Sequence, residues 1–460
     1  MRFLELREQN DQLWEYTHSV IMGSSVKAVA LSYSDNAGIS RVKTIPTERL
    51  RHAARFGVGM SPVFDAFLFD DSITSSKFSG GPMGELRLLP DLSELRVLDP
   101  TSGWAYVPVE RFRQDFEPHP LCHRHFARDA YQALLNQNVT SKMAFEIEWV
   151  VSIDQGSEFK PACIGPAYGL DRVGELEEYL VDLYSALQFQ HVAVEQIHPE
   201  YAPGQFEVSI DATDPIQAAD DCILVKHTIK RVSRKHGLKV SFAPVVSAGG
   251  VGNGGHLHFS LQRDGAPIFR SVPGEVHELS VEGRSVIAGM LSELPALCAL
   301  GASSPASYLR LVPHHWAGAY RCWGVDNREA ALRFVKETRL VTEGGANLEI
   351  KPFDLSSSPY LAVGGVLAVA AGYLNNGLLP PDPVVGDPGL LDETQRTNLG
   401  IDRLPSTLED SLKALVDSSI LRSSMSEELL TAFVAVKEAE IALARSMSPE
   451  EIVSATRWRY

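Results

Sequence analysis

The sequence FEIEW, residues 145–149, alternates apolar and acidic side chains. In a β-strand, residues two apart point to the same face of the sheet, so this alternation predicts a strand with Glu146 and Glu148 on one face. At about 3.3 Å per residue, the two side chains would stand roughly 6–7 Å apart. That spacing is too long for easy sharing of one ion, but it suits two neighbouring cations that each bind one carboxylate.

Three further segments repeat this alternation: QFEVSI at 205–210, GNGGHLHFS at 252–260 and NLEIKPFD at 347–354. On one face they would present Glu207, Ser209, His256, His258, Ser260, Asn347, Glu349 and Lys351. A solvent-exposed face is the ordinary interpretation of one such strand. Glutamate and histidine predominate across the four strands, however, and Glu200 lies just before the second segment. Together these residues favour two sites for hard or borderline divalent ions, Mg²⁺ or Mn²⁺.

A second group of polar residues consists of arginines within 307–334, SYLRLVPHHWAGAYRCWGVDNREAALRF. The planar guanidinium group matches carboxylates and phosphates with two hydrogen bonds. Arginines that face an acidic site for two cations therefore favour phosphoryl transfer to a carboxylate substrate, with Arg310, Arg328 and Arg333 as candidates. For Arg321 we expect a surface salt bridge instead.

Composition narrows the class of protein. The chain has 460 residues, with 42 Lys and Arg against 58 Asp and Glu, a formal charge of −16. Such a surface repels the phosphate backbone, so we expect no nucleic-acid partner. The five cysteines are scattered without a CxxC pair, and the N-terminus does not have the pattern of a signal peptide. These features favour the cytoplasm and no membrane partner, with the apolar stretch 360–373 as a buried helix.

Local patterns divide the chain into two parts. Residues 26–46 alternate around a DNAG turn signal and predict a β-hairpin. Residues 57–84 are dense in Gly, Ser and Asp and predict a long loop. Helices are predicted at 125–136, 174–187 and 216–236, and we place a domain boundary near residue 117.

The sequence resembles the glutamine synthetase superfamily over nearly its whole length. The matching segments are GELRLLPD, FEIEW, EYAPGQFE, GNGGHLH, SYLRLVP, NREAALR and NLEIKPFD followed by SPYL, in the family's order. The resemblance implies an α+β fold, with a small N-terminal β-grasp domain at 1–116. It implies a catalytic domain at 117–460, formed by a curved antiparallel sheet with helices. It also implies active sites at subunit interfaces, commonly in a homododecamer of two stacked hexameric rings.

The resemblance implies that ATP phosphorylates the side chain of glutamate and that a nitrogen nucleophile then displaces phosphate from γ-glutamyl phosphate. By this resemblance, Glu148, Glu200 and Glu207 match the ligands of one metal ion, and Glu146, His256 and Glu349 those of the other. Arg310 matches the arginine that holds the glutamate α-carboxylate, Gly252 the glutamate-binding loop, and Tyr168 a tyrosine of the amine pocket. His258 and Ser260 match nucleotide contacts, while Arg328 and Arg333 match arginines on the transferring phosphoryl group and the ATP phosphates.

Several positions depart from the family pattern. Members that use ammonia have a glutamate three residues after the RLVP block, where this chain has Trp316. Their N-terminal ammonium-binding aspartate has no clear counterpart, although Asp65, Asp70 and Asp71 lie in that region. Lys351 replaces a usual arginine, which keeps the charge but loses the planar fork. An indole offers apolar area and a π-face, so Trp316 favours an organic amine over ammonium.

The leading hypothesis is therefore a γ-glutamylamide synthetase that uses an apolar alkylamine or arylamine, with Glu200 or His315 as the group that takes the amine proton. The first alternative is a glutamine synthetase that uses ammonia. A polyamine or ethanolamine acceptor is a further alternative, and a non-catalytic relative is a remote one. A competing interpretation of Trp316 itself is core packing beside Trp323.

Overall fold

The computed structural model of the protein describes residues 2–153, 156–337 and 345–460, in which the strands form two sheets. The first sheet contains β1 (Ala28–Ser34), β2 (Ser40–Pro46), β3 (Val58–Met60), β4 (Leu86–Pro90), β5 (Arg96–Val97) and β6 (Trp104–Phe112). The second contains β7 (Val139–Ser152), β8 (Val194–Pro199), β9 (Gln205–Ile210), β10 (Lys239–Ser241), β11 (Leu257–Arg263), β12 (Ala266–Pro267), β13 (Tyr320–Val325), β14 (Ala330–Val335), β15 (Asn347–Ile350) and β16 (Asp402–Arg403).

Helices pack against both sheets. They are α1 (Phe3–Gly23), α2 (Leu50–Phe56), α3 (His123–Leu135), α4 (Leu170–Glu175), α5 (Glu177–Phe189), α6 (Pro215–Lys235), α7 (Val281–Gly301), α8 (Ser307–Arg310), α9 (Pro359–Tyr373), α10 (Glu393–Asn398), α11 (Leu408–Asp417), α12 (Ser419–Ser424), α13 (Glu427–Ala444) and α14 (Pro449–Thr456). Short 3-10 helices lie at Thr47–Arg49, Pro62–Ala66, Leu92–Glu94, Val276–Glu278 and Pro388–Leu390.

The N-terminal sheet has the strand order β2-β1-β6-β4-β3, with β5 paired to β6. Strands β1 and β2 form the antiparallel hairpin predicted at 26–46, and β1 lies parallel to β6. The predicted loop at 57–84 was partly wrong, because it contains β3 and a 3-10 helix. Strand β3 pairs with β4 some 28 residues away along the chain, from Val58↔Leu88 to Met60↔Leu86, and a local pattern does not reveal such a partner. The β-grasp name for this part and the boundary at 116/117 stay predictions.

The larger sheet has the order β16-β13-β14-β15-β11-β7-β9-β8. Its neighbours along this path are antiparallel except for the parallel pair β13 and β14, so the expected curved antiparallel sheet is confirmed with that exception. The predicted helix at 360–373 is α9, which is buried from Pro359 to Ala370. Helix α7 is long and apolar enough to cross a membrane, but 78% of its most apolar window is buried inside the protein. Both therefore act as core helices.

A buried carboxylate joins the two parts of the chain. Glu110 on β6 accepts hydrogen bonds from Arg124 and Arg128 at 2.7 Å and from His125 Nδ1 at 2.5 Å. Arg124 also binds Asp220 of α6 at 2.7 Å. Because removing one partner of a buried charge network leaves the others uncompensated, this network fixes the N-terminal sheet against α3 and α6.

The turn between β1 and β2 makes a close contact with the segment between β15 and α9, and this contact predicts a specific effect of substitution. Gly38 has φ +79°, and a Cβ there would lie 1.9 Å from the carbonyl oxygen of Ser356. Gly265, between β11 and β12, has the same φ and nothing within 4 Å of its Cβ position. Both Gly38→Ala and Gly265→Ala pay the cost of a left-handed alanine, about 1–2 kcal/mol. We expect Gly38→Ala to lower the free energy of unfolding by a further ~1–3 kcal/mol from overpacking, measured by urea denaturation. Equal losses in the two variants would contradict the contact.

Candidate active site

The register of the larger sheet aligns the polar residues of separate strands. Across β7, β9 and β8, Glu148 lies opposite Glu207, and Glu207 lies opposite His198. Across β14, β15 and β11, Arg333 lies opposite Glu349, and Glu349 lies opposite His258. Side chains of directly opposed residues stand about 4.5–5.5 Å apart at Cβ, so each row places charged groups in contact.

His256 lies between these rows, just before β11. Its Nδ1 is 2.8 Å from Glu146 Oε2 and 3.2 Å from Glu349 Oε1. Its Nε2 lies 3.1 Å from the Arg310 guanidinium, which is consistent with Nε2 accepting from Arg310 and the Nδ1 proton facing the two carboxylates. Nδ1 thus faces the two carboxylates that the resemblance assigns to the same ion as His256.

The glycine-rich segment 252–255 allows the backbone to lie against this cluster. A Cβ on Gly254 would be 2.5 Å from His256 Nε2 and 2.7 Å from Glu148 Oε1. A Cβ on Gly252 would be 2.8 Å from Arg310 Cγ. The backbone N–H of Gly254 donates to Glu148 Oε2 at 2.8 Å. Close backbone approach therefore requires glycine at both positions.

These elements enclose a cavity of about 720 Å³. Thirteen of the residues that the sequence assigned to the site line it: Glu146, Glu148, Tyr168, Glu200, Glu207, Gly252, His256, Arg310, His315, Trp316, Arg328, Arg333 and Lys351. Glu349 lies directly behind, 3.1 Å from Arg333 and 3.2 Å from Lys351 Nζ. The fold thus brings together residues that are up to 205 positions apart in the chain, from Glu146 to Lys351.

The two nucleotide-contact candidates lie farther along β11. His258 Nδ1 is 2.8 Å from Asn347 Oδ1, and its Nε2 is 3.2 Å from Glu146 Oε1. Ser260 lies opposite Lys142 of β7, and neither His258 nor Ser260 lines the cavity. Their role in nucleotide binding stays a prediction.

Burial and mutual repulsion perturb the carboxylates. Burial raises the pKa of Glu148, and the neighbouring charge of Glu207 adds to that rise. Burial and the charge of Glu148 also raise the pKa of Glu200. Although burial opposes it, hydrogen bonds with His256 and His258 hold the pKa of Glu146 well below its usual range. Like charges crowded in this way are stabilised by cations, which favours a metal-binding function.

The carboxylates and imidazoles fit divalent ions by their chemistry. At this site, three groups of ligand atoms among the described residues lie within 4.8 Å of one another: Glu146 with Glu207 and His256, Glu146 with His258 and Glu349, and His198 with Glu200 and Glu207. These groups do not coincide with the two ligand sets that the resemblance implies. In the first group, for example, Glu207 belongs to one implied set and Glu146 and His256 to the other. The assignment of each ligand to one of two ions therefore stays a prediction.

Trp316 lies at the mouth of the cavity, with 44% of its surface exposed, while Trp323 is buried. The interpretation of Trp316 as core packing beside Trp323 is therefore wrong. Its ring meets that of Tyr201 edge to face, with centroids 5.3 Å apart. Close by, the hydroxyl of Tyr168 donates to Glu200 Oε2 at 2.7 Å.

Three other residues named from the sequence form ion pairs outside the cavity. Arg321 forms a surface ion pair with Asp402, as predicted. Asp65 is buried against Arg111 at 2.6 Å and His119 at 3.1 Å, so its carboxylate is already bound. Asp71 is exposed and pairs with Arg41 and Arg459.

Sequence reasoning missed five residues that line the cavity, namely Gln196, His198, Tyr201, Gln205 and Val251. Hydrogen bonding to Glu207 raises the pKa of His198 to about 9, and His198 lies two residues before Glu200. Gln205 Nε2 lies 3.0 Å from Glu148 Oε2 and 2.9 Å from the carbonyl of Gly252. The alternation that revealed Glu207 continues to Gln205 and could have identified it.

Comparison with known proteins agrees with this geometry. The glutamine synthetase catalytic domain profile matches residues 120–454. A gamma-glutamylpolyamine synthetase of Streptomyces coelicolor is 46% identical over 443 residues, covering 96% of this chain and 95% of that protein. The chain belongs to the glutamine synthetase family. This confirms the predicted family and its ATP-dependent ligase chemistry. Members of this family use ATP and divalent metal ions.

Two further relatives extend the comparison. A glutamate–isopropylamine ligase of a Pseudomonas species is 28% identical over 405 residues, covering 83% of this chain and 85% of that protein. The crystal structure of a glutamine synthase homolog superposes with a TM-score of 0.83 at 32% identity, covering 95% of this chain and 99% of that one. The α+β fold expected from the family is thereby confirmed.

The acidic rows predict that Glu148 is needed for metal binding. We expect Glu148→Gln to weaken Mn²⁺ binding by roughly tenfold or more and to lower kcat by about 10²-fold or more, because one carboxylate ligand is lost. Glu195→Gln, on the exposed side of β8, is the matched control. Titration calorimetry with Mn²⁺ and steady-state assays provide the measurements. Unchanged Mn²⁺ affinity in Glu148→Gln would contradict the role.

Proposed function

We propose that the protein joins the γ-carboxylate of glutamate to an organic primary amine, through γ-glutamyl phosphate formed from ATP, and that the acceptor is a polyamine. The observation that carries the proposal is the aromatic pair Trp316 and Tyr201 at the cavity mouth. In an ammonia site this position would hold a carboxylate. Without that carboxylate, an ammonium ion gains little to replace its hydration.

Two considerations favour a polyamine among organic amines. Aromatic faces bind methylene groups by apolar contact and bind an ammonium group through the ring quadrupole, so one wall can accommodate both parts of a polyamine chain. The 46%-identical relative is named a gamma-glutamylpolyamine synthetase, while the isopropylamine ligase is 28% identical. The apolar monoamine predicted from Trp316 is the alternative, and both use the same chemistry.

The charged residues of the cavity support the glutamyl-phosphate step. Arg310 is buried beside the glycine-rich segment, where it would hold the α-carboxylate of glutamate. Arg328 lines the cavity, and Arg333 has a buried Nε without a partner, so both can donate to phosphoryl oxygens. Lys351 adds a positive charge without a planar fork. Two divalent ions held by the acidic rows would neutralise charge on the transferred group.

The amine must lose a proton before it can attack. Glu200 lies beside Tyr168 and Tyr201 at the same side of the cavity as Trp316, where a carboxylate can accept this proton. Glu200 is thus favoured over His315 for this role. We also propose, following the family resemblance, a homododecamer in the cytoplasm with active sites at subunit interfaces.

The place of Arg310 predicts a selective effect on glutamate. Arg310→Lys keeps the positive charge but loses the planar fork, so the KM for glutamate is expected to rise about tenfold while the KM for the amine changes little. Initial-rate assays of phosphate release, varying one substrate at a time, measure both constants. An equal rise in both constants would indicate a general disturbance of the site.

The aromatic pair predicts the ranking of acceptors. Putrescine and butylamine share a four-carbon chain and differ in the second ammonium group. We expect kcat/KM for putrescine to exceed that for butylamine by roughly two- to fivefold, the size of one exposed cation–π contact. We expect both to exceed ammonium by at least about tenfold, because burial of each CH₂ contributes about 0.8 kcal/mol.

Trp316→Leu tests the origin of this ranking, because leucine keeps apolar area and removes the π-face. The ratio of putrescine to butylamine is expected to fall towards one. Trp104→Leu, at a tryptophan with 42% exposure in the N-terminal sheet, is the matched control. If butylamine were the better acceptor, the alternative of an apolar monoamine substrate would be favoured. If ammonium were the best acceptor, the organic-amine proposal would be wrong.

A further inference from the structure

The loop that carries Trp316, residues 311–319, has a backbone that its sequence does not favour. His314 and Trp316 have positive φ angles of 63° and 50°. Bulky residues rarely adopt this left-handed region, and they remain there only where surrounding contacts hold them. The position of the indole at the cavity mouth therefore depends on contacts to this loop.

Glu329, between β13 and β14, makes such a contact. Its Oε1 accepts a hydrogen bond from the backbone N–H of Trp316 at 3.2 Å. Glu329 is itself fixed, because its N–H donates to Asn327 Oδ1 at 3.0 Å. Asn327 Nδ2 in turn donates to the carbonyl groups of Val384 and Gly386, both at 2.9 Å. A continuous chain of hydrogen bonds thus links Trp316 to the segment 384–386.

Asp387, directly after this segment, holds the loop at a second point. His314 Nδ1 lies 2.9 Å from Asp387 Oδ2. At the other side, Gly318 is pressed against β14, where a Cβ would be 2.8 Å from the Cα of Ala331. The contact from Glu329 lies between these two points and is the one made directly to the tryptophan backbone. Its loss would leave the backbone of Trp316 without this contact, while the other two points still hold the loop on either side of it.

Glu329 does not line the cavity, whereas the preceding Arg328 does. Its carboxylate contacts the loop backbone at Trp316, and this hydrogen bond is its direct link to a residue at the cavity mouth. We propose that Glu329 is a positioning residue for the amine acceptor, which fixes the indole at the cavity mouth by holding the N–H of Trp316. The part of this inference that concerns the amine rests on the proposed function.

Three variants separate positioning from other roles. Glu329→Gln keeps an oxygen that can accept from Trp316 but removes the charge. Glu329→Met and Glu329→Ala both remove the acceptor, and methionine keeps the side-chain length in case the alanine variant does not fold. Glu409→Ala, at an exposed carboxylate of α11, is the control.

In steady-state assays with putrescine, we expect Glu329→Met and Glu329→Ala to raise the KM for the amine about five- to tenfold. The KM for glutamate and for ATP is expected to stay within about twofold. Glu329→Gln and the control are expected to behave like the wild type. A large loss of kcat in Glu329→Gln would overturn the proposal, because it would assign the carboxylate to the chemistry. An unchanged amine KM in the variants without an acceptor would also overturn it.

A second measurement needs no substrate. The chain has six tryptophans, so the signal of Trp316 is obtained by subtracting the fluorescence of the same variant carrying Trp316→Phe. We expect iodide quenching of this signal to increase in Glu329→Met and to stay unchanged in Glu329→Gln. Unchanged quenching in Glu329→Met would overturn the positioning role. If the wild type gave no turnover that depends on an amine, the proposed function would fail, while the quenching would still decide whether Glu329 holds Trp316.

Discussion

Repulsion between buried carboxylates is the constraint on which this site depends. Glu148 and Glu207 face each other across β7 and β9, and Glu349 lies behind with almost no exposed surface. Folding such charges together is unfavourable unless cations compensate them. Arg310 and Lys351 supply part of that compensation, and the glycine-rich segment lets Arg310 and His256 approach closely. The rest of the domain can be understood as the support for this arrangement.

Two buried charge networks provide that support, one close to the cavity and one farther from it. Near the cavity, Arg310 donates to the carbonyls of Lys351 and Pro352 at 3.2 Å, which couples its position to the end of β15. Farther away, Glu110 joins the N-terminal sheet to α3 and, through Arg124, to α6. Both networks pair each charge with several partners, so the loss of one group exposes the rest to an apolar interior. They fix the relative positions of elements that the hydrophobic core alone would specify less closely.

The residues at the mouth of the cavity differ in chemical character from the residues at its base. At the base, charged groups surround the place expected for phosphoryl transfer, where fixed charges stabilise developing charge. At the mouth, Trp316 and Tyr201 replace charge with aromatic surface. In the proposed function, the phosphoryl-transfer chemistry takes place at the base, and the loop of Trp316 influences which amine is accepted. Loops on a rigid scaffold change more readily than strands, because few backbone pairings depend on them.

The sequence by itself determined several local elements and the candidate residues of the site. Strict alternation in β7, β9 and β15 revealed Glu146, Glu148, Glu207 and Glu349, because strand geometry places residues two apart on one face. The hairpin of β1 and β2 and the buried helix α9 could also be predicted from local sequence patterns. Other elements escaped prediction: helix α1 was missed, β3 lay in a segment predicted as a loop, and the helix predicted at 174–187 is divided between α4 and α5.

Only the tertiary structure decided which of these residues meet. The register between strands that are distant in the chain placed Glu349 opposite His258 and Glu207 opposite His198. It also showed that Trp316 is at the cavity mouth, that Asp65 is bound to Arg111, and that Glu329 reaches the loop of Trp316. Such contacts depend on long-range pairing and on packing, which are properties of the folded chain as a whole. A local pattern specifies the face on which a side chain lies, but the partner on that face is set by the fold.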